Sequence, residues 1–237
     1  MLKFFRRIRR RLLADGRIRS YLPYALGEIL LVMVGILLAL QVNNWNEVRK
    51  DRHTERAYLQ GLHNDLQQDT TFLSRTLTDL KRRLLTFQII DSTFTIKFVE
   101  VAGWPAEPYT WQDLDQLLQA PRTFRAKAGT YQALLADGQT KLITNAALLE
   151  SIQNIYEVEL ASVEDIGKEL WANDLRMEWS LVLKDQGKLS PATIAIPELT
   201  AQLHIYYGLI NFYAWRIHHL RSLISESLSV LDKELTR

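Results

Sequence analysis

Residues 29–40 read Ile-Leu-Leu-Val-Met-Val-Gly-Ile-Leu-Leu-Ala-Leu, twelve positions without a charge, and behind them lies a leader with eight Lys or Arg residues. The run alone is short of the roughly 20 residues that a helix needs to cross about 30 Å of hydrocarbon. Its flanks supply the remainder. A span from Tyr21 or Leu22 to Val42 places Tyr21 and Tyr24 at one boundary and Trp45 at the other, where amphipathic aromatic rings favour the interface. A cleaved signal peptide would share the basic start and the short apolar core. Here the basic region is long and the core ends Ala39-Leu40-Gln41, with no small-x-small cleavage site, so an uncleaved signal anchor is the expectation.

Charge sets the expected orientation. Residues 1–24 carry a net charge of +7 (Lys3, Arg6, Arg7, Arg9, Arg10, Arg11, Arg17 and Arg19 against Asp15), which leaves −5 on the remainder of a chain whose total is +2. Basic flanks stay on the cytoplasmic side, so the N-terminus is expected inside and residues 46–237 outside. In LKFFRRIRRRLL (2–13) the apolar residues fall largely on one helical face and Arg6, Arg7, Arg9, Arg10 and Arg11 on the other. That pattern suits a helix lying on anionic headgroups; a mobile topology signal is the simpler alternative. Nucleic acid is not an expected partner, because the next element enters lipid.

Outward from the span the periodicity stays helical. Leu59, Leu62, Leu66, Leu73, Leu77, Leu80, Leu84 and Phe87 form one stripe, and no proline occurs between Pro23 and Pro105 to interrupt it. Asp69 and Thr76 fall in the stripe and are expected to be solvated where its face drifts. After Pro197, a favourable first helical residue, Leu199, Leu203, Tyr206, Ile210, Tyr213, Ile217, Leu220 and Ile224 alternate steps of four and three, the mark of a helix packed at a shallow angle. A third helix is predicted over about 146–183, with Leu148, Ile152, Ile155, Leu160, Val163, Ile166, Leu170, Met177 and Leu181 on its buried side, and a short one over 130–136 stopped by Gly138. Residues 89–121 break the pattern with IIDSTFTIKFVEV and two prolines before a short helix at 111–119; they read as a connector covering the end of the bundle, or as a cap carrying a binding surface.

The expected fold is therefore all-α: an N-terminal transmembrane helix continuing into a long antiparallel bundle. It divides into a basic amphipathic cytoplasmic segment (1–20), the membrane helix (21–44) and an extracytoplasmic helical domain (45–237). About 190 residues outside the membrane suffice for a real core. The absence of cysteine removes disulfides, thiol catalysis and thiolate metal sites.

Chemistry is sparse. The five histidines form neither HExxH nor an i, i+4 pair, and phosphate-loop, dinucleotide and nucleophile-elbow motifs are missing. Glu157, Glu159, Glu164, Asp165 and Glu169 spread as on a solvated face, while Trp171, Trp179, Tyr206, Tyr207, Phe212, Tyr213 and Trp215 have the spacing of core aromatics. The expectation is a non-enzymatic protein without a cofactor, working through interaction or assembly, with a ligand-sensing or accessory role in a membrane complex as the alternative. Gly35 and Ala39 make a small-xxx-small pair for helix packing in lipid, which points to a homo-oligomer or a membrane partner. Glu28 is an intramembrane polar group near the cytoplasmic boundary. It either reaches headgroups or a leader arginine, or faces an oligomer axis in an ion-coupled assembly.

The stretch Tyr24-Ala-Leu-Gly-Glu-Ile-Leu-Leu-Val-Met-Val-Gly-Ile-Leu-Leu-Ala-Leu-Gln-Val-Asn-Asn-Trp-Asn-Glu47 resembles the N-terminal signature of an uncharacterised family of single-span proteins from Gram-negative bacteria, with GEI and ALQVNNWNE as its specific parts. A weaker similarity continues through Tyr131–Gly138 and Leu142-Ile143 to Ile155-Tyr156. The resemblance implies membrane placement and a helical outer domain, and it carries no catalytic or binding residues.

Overall fold

The structure, a computed structural model, describes residues 18–110, 115–172 and 195–236. Within them lie α1 (Ile18–Ile90), α2 (Val99–Ala102), α3 (Asp115–Leu118), α4 (Gly129–Ala136), α5 (Ala146–Gln153), α6 (Leu160–Ala172) and α7 (Pro197–Thr236), with a 3-10 turn at Thr140–Leu142 and a π-helical turn at Asn154–Glu159 between α5 and α6. The fold is all-α, with no strand among the described residues. Contacts divide the chain into two units, Met1–Thr54 and Glu55–Arg237. Arg6, Arg7, Arg9, Arg10 and Arg11, the 173–183 part of the third predicted helix, and residues 111–114 lie outside the described residues.

The second unit is held by a long hairpin. Arg56 donates to the Leu235 carbonyl at 2.8 Å, His63 meets Asp232 at 3.1 Å, Arg221 donates to Ser74 Oγ at 2.9 Å, and Arg83 lies against Tyr206. Partners in α7 fall in number as those in α1 rise, so the two helices are antiparallel. Every residue of the predicted α1 stripe is buried, and so is the α7 stripe from Leu199 to Ile224. Fully burying one such Leu or Ile side chain contributes about 1.5–3 kcal/mol, so this seam dominates the stability of the unit.

A second pass of chain returns along α1. Gln119 accepts from Arg83, the Lys127 N–H donates to Asp69, the Thr130 N–H donates to Asp65, Tyr58 donates to Asp137, and the Thr144 N–H donates to Glu55. This strap, residues 119–144, is only partly helical. It contains α4, which ends at Gly138 with φ of 63°, the left-handed stop expected from the sequence. Asn145 then caps α5 through the Leu148 N–H and also donates to Glu234. From there α5 and α6 run antiparallel to α7, through Ser151–Ser227 at 2.8 Å and Arg216–Glu159 at 2.9 Å.

Two expectations are corrected. Asp69 and Thr76 are buried, at 2% and 5% exposure, because the strap covers the face of α1 on which they sit. Asp69 accepts the Lys127 N–H at 3.0 and 3.2 Å from its two oxygens. Not all of the aromatic set is core: Tyr206, Tyr207 and Tyr213 are buried, but Trp171 is 59% exposed and Phe212 42%.

Residues 91–98 are extended without forming a sheet. Asp91 ends α1 with a turn in which its side chain accepts the Thr93 N–H. Beyond it Phe94, Ile96 and Phe98 alternate inward while Thr95, Lys97 and Val99 face out. That two-residue period is laid on helices: Phe94 packs against Phe87 and Tyr207, and Phe98 stacks on Trp215. Lys81 to the Ala102 carbonyl and Trp104 to Thr78 show the connector folded back beside α1 rather than confined to its end.

Candidate functional site

In the first unit α1 carries an 18-residue apolar window of which nothing is buried; it is the one helix among the described residues long and apolar enough to cross a membrane. Leu26, Ile29, Leu30, Leu31, Val32, Ile36, Leu37 and Leu38 are all exposed. Water alone does not tolerate so large a contiguous apolar surface on a stable monomer. Of the residues singled out from the sequence, Glu28, Gly35, Ala39 and Trp45 are exposed on this segment and Tyr24 is half-buried. A Cβ built on Gly35 meets open space, so that face of the helix is free of intrachain packing. In the ALQVNNWNE motif Asn43 donates to Glu47 one turn on, and Trp45 is exposed.

In the second unit the polar residues converge beside Arg83. Four groups hold it: the Asp79 carboxylate one turn back on α1, the carbonyls of Leu117 and Gln119, and the Tyr206 hydroxyl of α7. The Tyr109 phenol joins the cluster by donating to Asp79. Arg83 is 5% exposed, and although burial works against its charge, the adjacent Asp79 more than compensates and keeps it cationic. Tyr109 is fixed twice more, by its N–H to Thr86 at 2.8 Å and by the Arg82 guanidinium 4.2 Å above its ring. Burial, followed by the hydrogen bond to Asp79, pushes its phenol up to about 12. Beside this cluster opens a cleft of about 410 Å³ with Arg75, Gln119 and Arg122 in its walls.

A second polar centre ties the strap to α1. Burial, with Asp65 nearby, raises the Asp69 carboxyl to about 6 despite the Lys127 N–H, which favours the anion. Tyr131 and Tyr156 stack at 4.6 Å with rings 8° from parallel; Tyr131 donates to Glu157 and Tyr156 to the Lys127 carbonyl. Among the described residues no group of three or more His, Cys, Asp or Glu side chains is arranged to hold a metal ion. Neither centre was singled out from the sequence. The only signals available were Asp69 and Thr76 interrupting an apolar stripe and the density of arginine at 75–83.

The sequence matches the family described as "Family of unknown function (DUF6090)" over residues 28–189, more than half of the chain. The chain belongs to this family. No curated protein and no solved structure matches it. The DUF6090 match begins at Glu28, where the GEI signature stands, and takes in the apolar segment, the Arg83 cleft and the Asp69 centre; α7, which completes the hairpin, lies beyond it.

Proposed function

We propose that this protein is a non-enzymatic single-pass protein of the bacterial inner membrane, N-terminus inside, that presents its helical bundle in the periplasm for interaction or assembly, as a homo-oligomer or with a membrane partner. The observation that carries the reading is the contrast along one helix. From Leu26 to Val48 large apolar side chains are exposed, whereas from Leu59 to Phe87 the same residue types are buried under other helices. The first stretch has the length and composition that lipid requires, and the second already has its solvent-excluding partners. The +7 leader supports the orientation and contact with anionic headgroups.

A reporter that is active only outside the cytoplasm, fused after Arg237, is expected to be active, and the full-length chain is expected in the membrane fraction. An inactive reporter on a stably expressed fusion overturns the orientation. For assembly, Gly35→Ile places a branched side chain where backbones would approach and is expected to lower the mass of the detergent-solubilised particle measured by light scattering. A monomeric wild-type particle in mild detergent refutes the oligomer. Glu28→Gln is expected to leave assembly unchanged, which fits a side chain that reaches headgroups rather than an oligomer axis.

A further inference from the structure

Among the described residues, the cleft beside Arg83 carries more positive charge than its carboxylate balances. Three arginines, Arg75, Arg83 and Arg122, line it, and among the described lining residues the one carboxylate is that of Asp79. Both Asp79 oxygens are committed: Oδ2 accepts from Arg83 Nε at 2.9 Å and Oδ1 from the Tyr109 hydroxyl at 2.7 Å. Asp79 thus answers Arg83 and, among the described residues, no carboxylate of the lining is left for Arg75 and Arg122. Both are exposed, and neither makes an ion pair or hydrogen bond among the described residues. Arg83 itself spends Nε on Asp79 and Nη1 on the Leu117 and Gln119 carbonyls and Tyr206, which leaves Nη2 without a partner among the described residues.

We infer that this cleft binds a small soluble oxyanion, a phosphoryl or carboxylate compound, between the Arg75 and Arg122 guanidinium groups above the fixed Arg83. Arginine forks match the paired oxygens of phosphate and carboxylate, and they do so with two parallel hydrogen bonds that a lysine cannot reproduce. A concave, partly apolar wall strengthens the effect, because it removes screening water between unlike charges. Phe72 supplies that wall and Gln119 an amide. The volume, about 410 Å³, falls in the range of small-molecule sites and is too small for a folded partner. The positioning is built in: Arg83 is held by Asp79 and two carbonyls, and Tyr109 by Thr86 and Arg82, so the floor of the cleft is set by the fold itself. This goes beyond the interaction role proposed above and does not depend on orientation or oligomer order.

The test uses the full-length protein in mild detergent, with sodium phosphate and sodium succinate as probes and sodium chloride at matched ionic strength as the control. Thermal unfolding followed by circular dichroism is expected to rise saturably, by about 4 °C at about 20 mM probe for millimolar or tighter binding, with phosphate, with succinate or with both. The two arms distinguish a phosphoryl from a dicarboxylate ligand. Arg75→Gln and Arg122→Gln are exposed changes that leave the fold intact by circular dichroism, and each is expected to weaken probe binding at least tenfold. Arg125→Gln, an exposed arginine outside the cleft, is expected to leave it unchanged. The inference is overturned if neither probe stabilises the protein beyond the chloride control, or if the double variant Arg75→Gln, Arg122→Gln binds as the wild type does.

Discussion

Replacing Asp69 by asparagine isolates the cost of burying a charge under the strap. In the folded protein the carboxyl titrates at about 6, against 3.8 when it is free in water, and burial is the main cause. The raised value means that the folded state holds its proton more tightly than the unfolded state. Asp69 therefore favours folding most below about pH 4, and that contribution is lost as pH rises through 6. At about 1.4 kcal/mol for each pH unit separating the two values, about 3 kcal/mol is lost in all, most of it between pH 4 and pH 8. An asparagine side chain would keep an oxygen for the Lys127 N–H and carry no charge, so this loss should vanish. For a domain of this size about 3 kcal/mol corresponds to about 6–12 °C in Tm.

The measurement is the difference in Tm between Asp69→Asn and wild type, for full-length protein in mild detergent, at intervals from about pH 4 to about pH 8. Taking the difference cancels contributions that are common to both proteins. The neighbours facing Asp69 are Asp65 on its own helix, Lys127 on the strap and Tyr156 beyond it. The neutral amide also forms a weaker bond to the Lys127 N–H than the anion does, worth about 1 kcal/mol, and this offset is largest at high pH, where it opposes the gain. The expected result is a difference that climbs by at least about 4 °C in favour of the variant on going from acid to alkaline conditions. A flat difference would refute the argument, since it would mean that water reaches the carboxylate under the strap.

Arg83→Leu strips donors from Asp79 and from two carbonyls at once and is expected to destabilise by about 3–5 kcal/mol, readable in the same unfolding assay, whereas Arg75→Gln stays within about 0.5 kcal/mol. Gly138→Ala imposes a side chain on a φ of 63° and should cost about 1 kcal/mol by backbone strain alone, since its Cβ would meet open space. At Gly61 the strain is steric: a Cβ would come within 2.6 Å of Thr130, so Gly61→Val is expected to displace the strap and speed proteolysis at 119–144 relative to wild type. Asn145→Ala removes both the α5 cap and the bond to Glu234, an expected loss of about 1–2 kcal/mol in urea unfolding.

The two long helices were legible because a single rule governs them. In α1 and α7 each turn buries one residue against one neighbour, so the stripes from Leu59 and Leu199 state their own packing. The strap follows no such rule. Three of its contacts to α1 run through backbone N–H groups, at Lys127, Thr130 and Thr144, and a backbone donor leaves no trace in residue identity. What the sequence does carry is the acceptor half, Asp69, Asp65 and Glu55 on α1, which by itself looks like a solvated polar position. The connector was misleading for a related reason: its two-residue period records which side is buried but not whether a strand or a helix does the burying. The Arg83 cleft unites residues from 72 to 122 through the fold-back of that connector, so no local pattern could assemble it.

One irregularity in the sequence has a structural cause that explains how the Tyr131 centre is placed. The buried stripe of the third helix advances by four, three, five, three, three and four from Leu148 to Leu170, and the step of five falls between Ile155 and Leu160. In an uninterrupted α-helix five residues rotate by about 500°, which would leave Leu160 about 140° away from Ile155 and outside the seam with α7. Both are buried. The π-helical turn at Asn154–Glu159 accounts for this, because its wider turn accommodates the extra residue and brings position 160 back to the face of position 155. The same widening sets out three partners in one short run: Tyr156 against the Tyr131 ring, Glu157 as acceptor of the Tyr131 hydroxyl, and Glu159 opposite Arg216 of α7. A regular helix would satisfy the core or the strap but not both, so the local departure from α geometry is what couples α4 and α7 through one short segment.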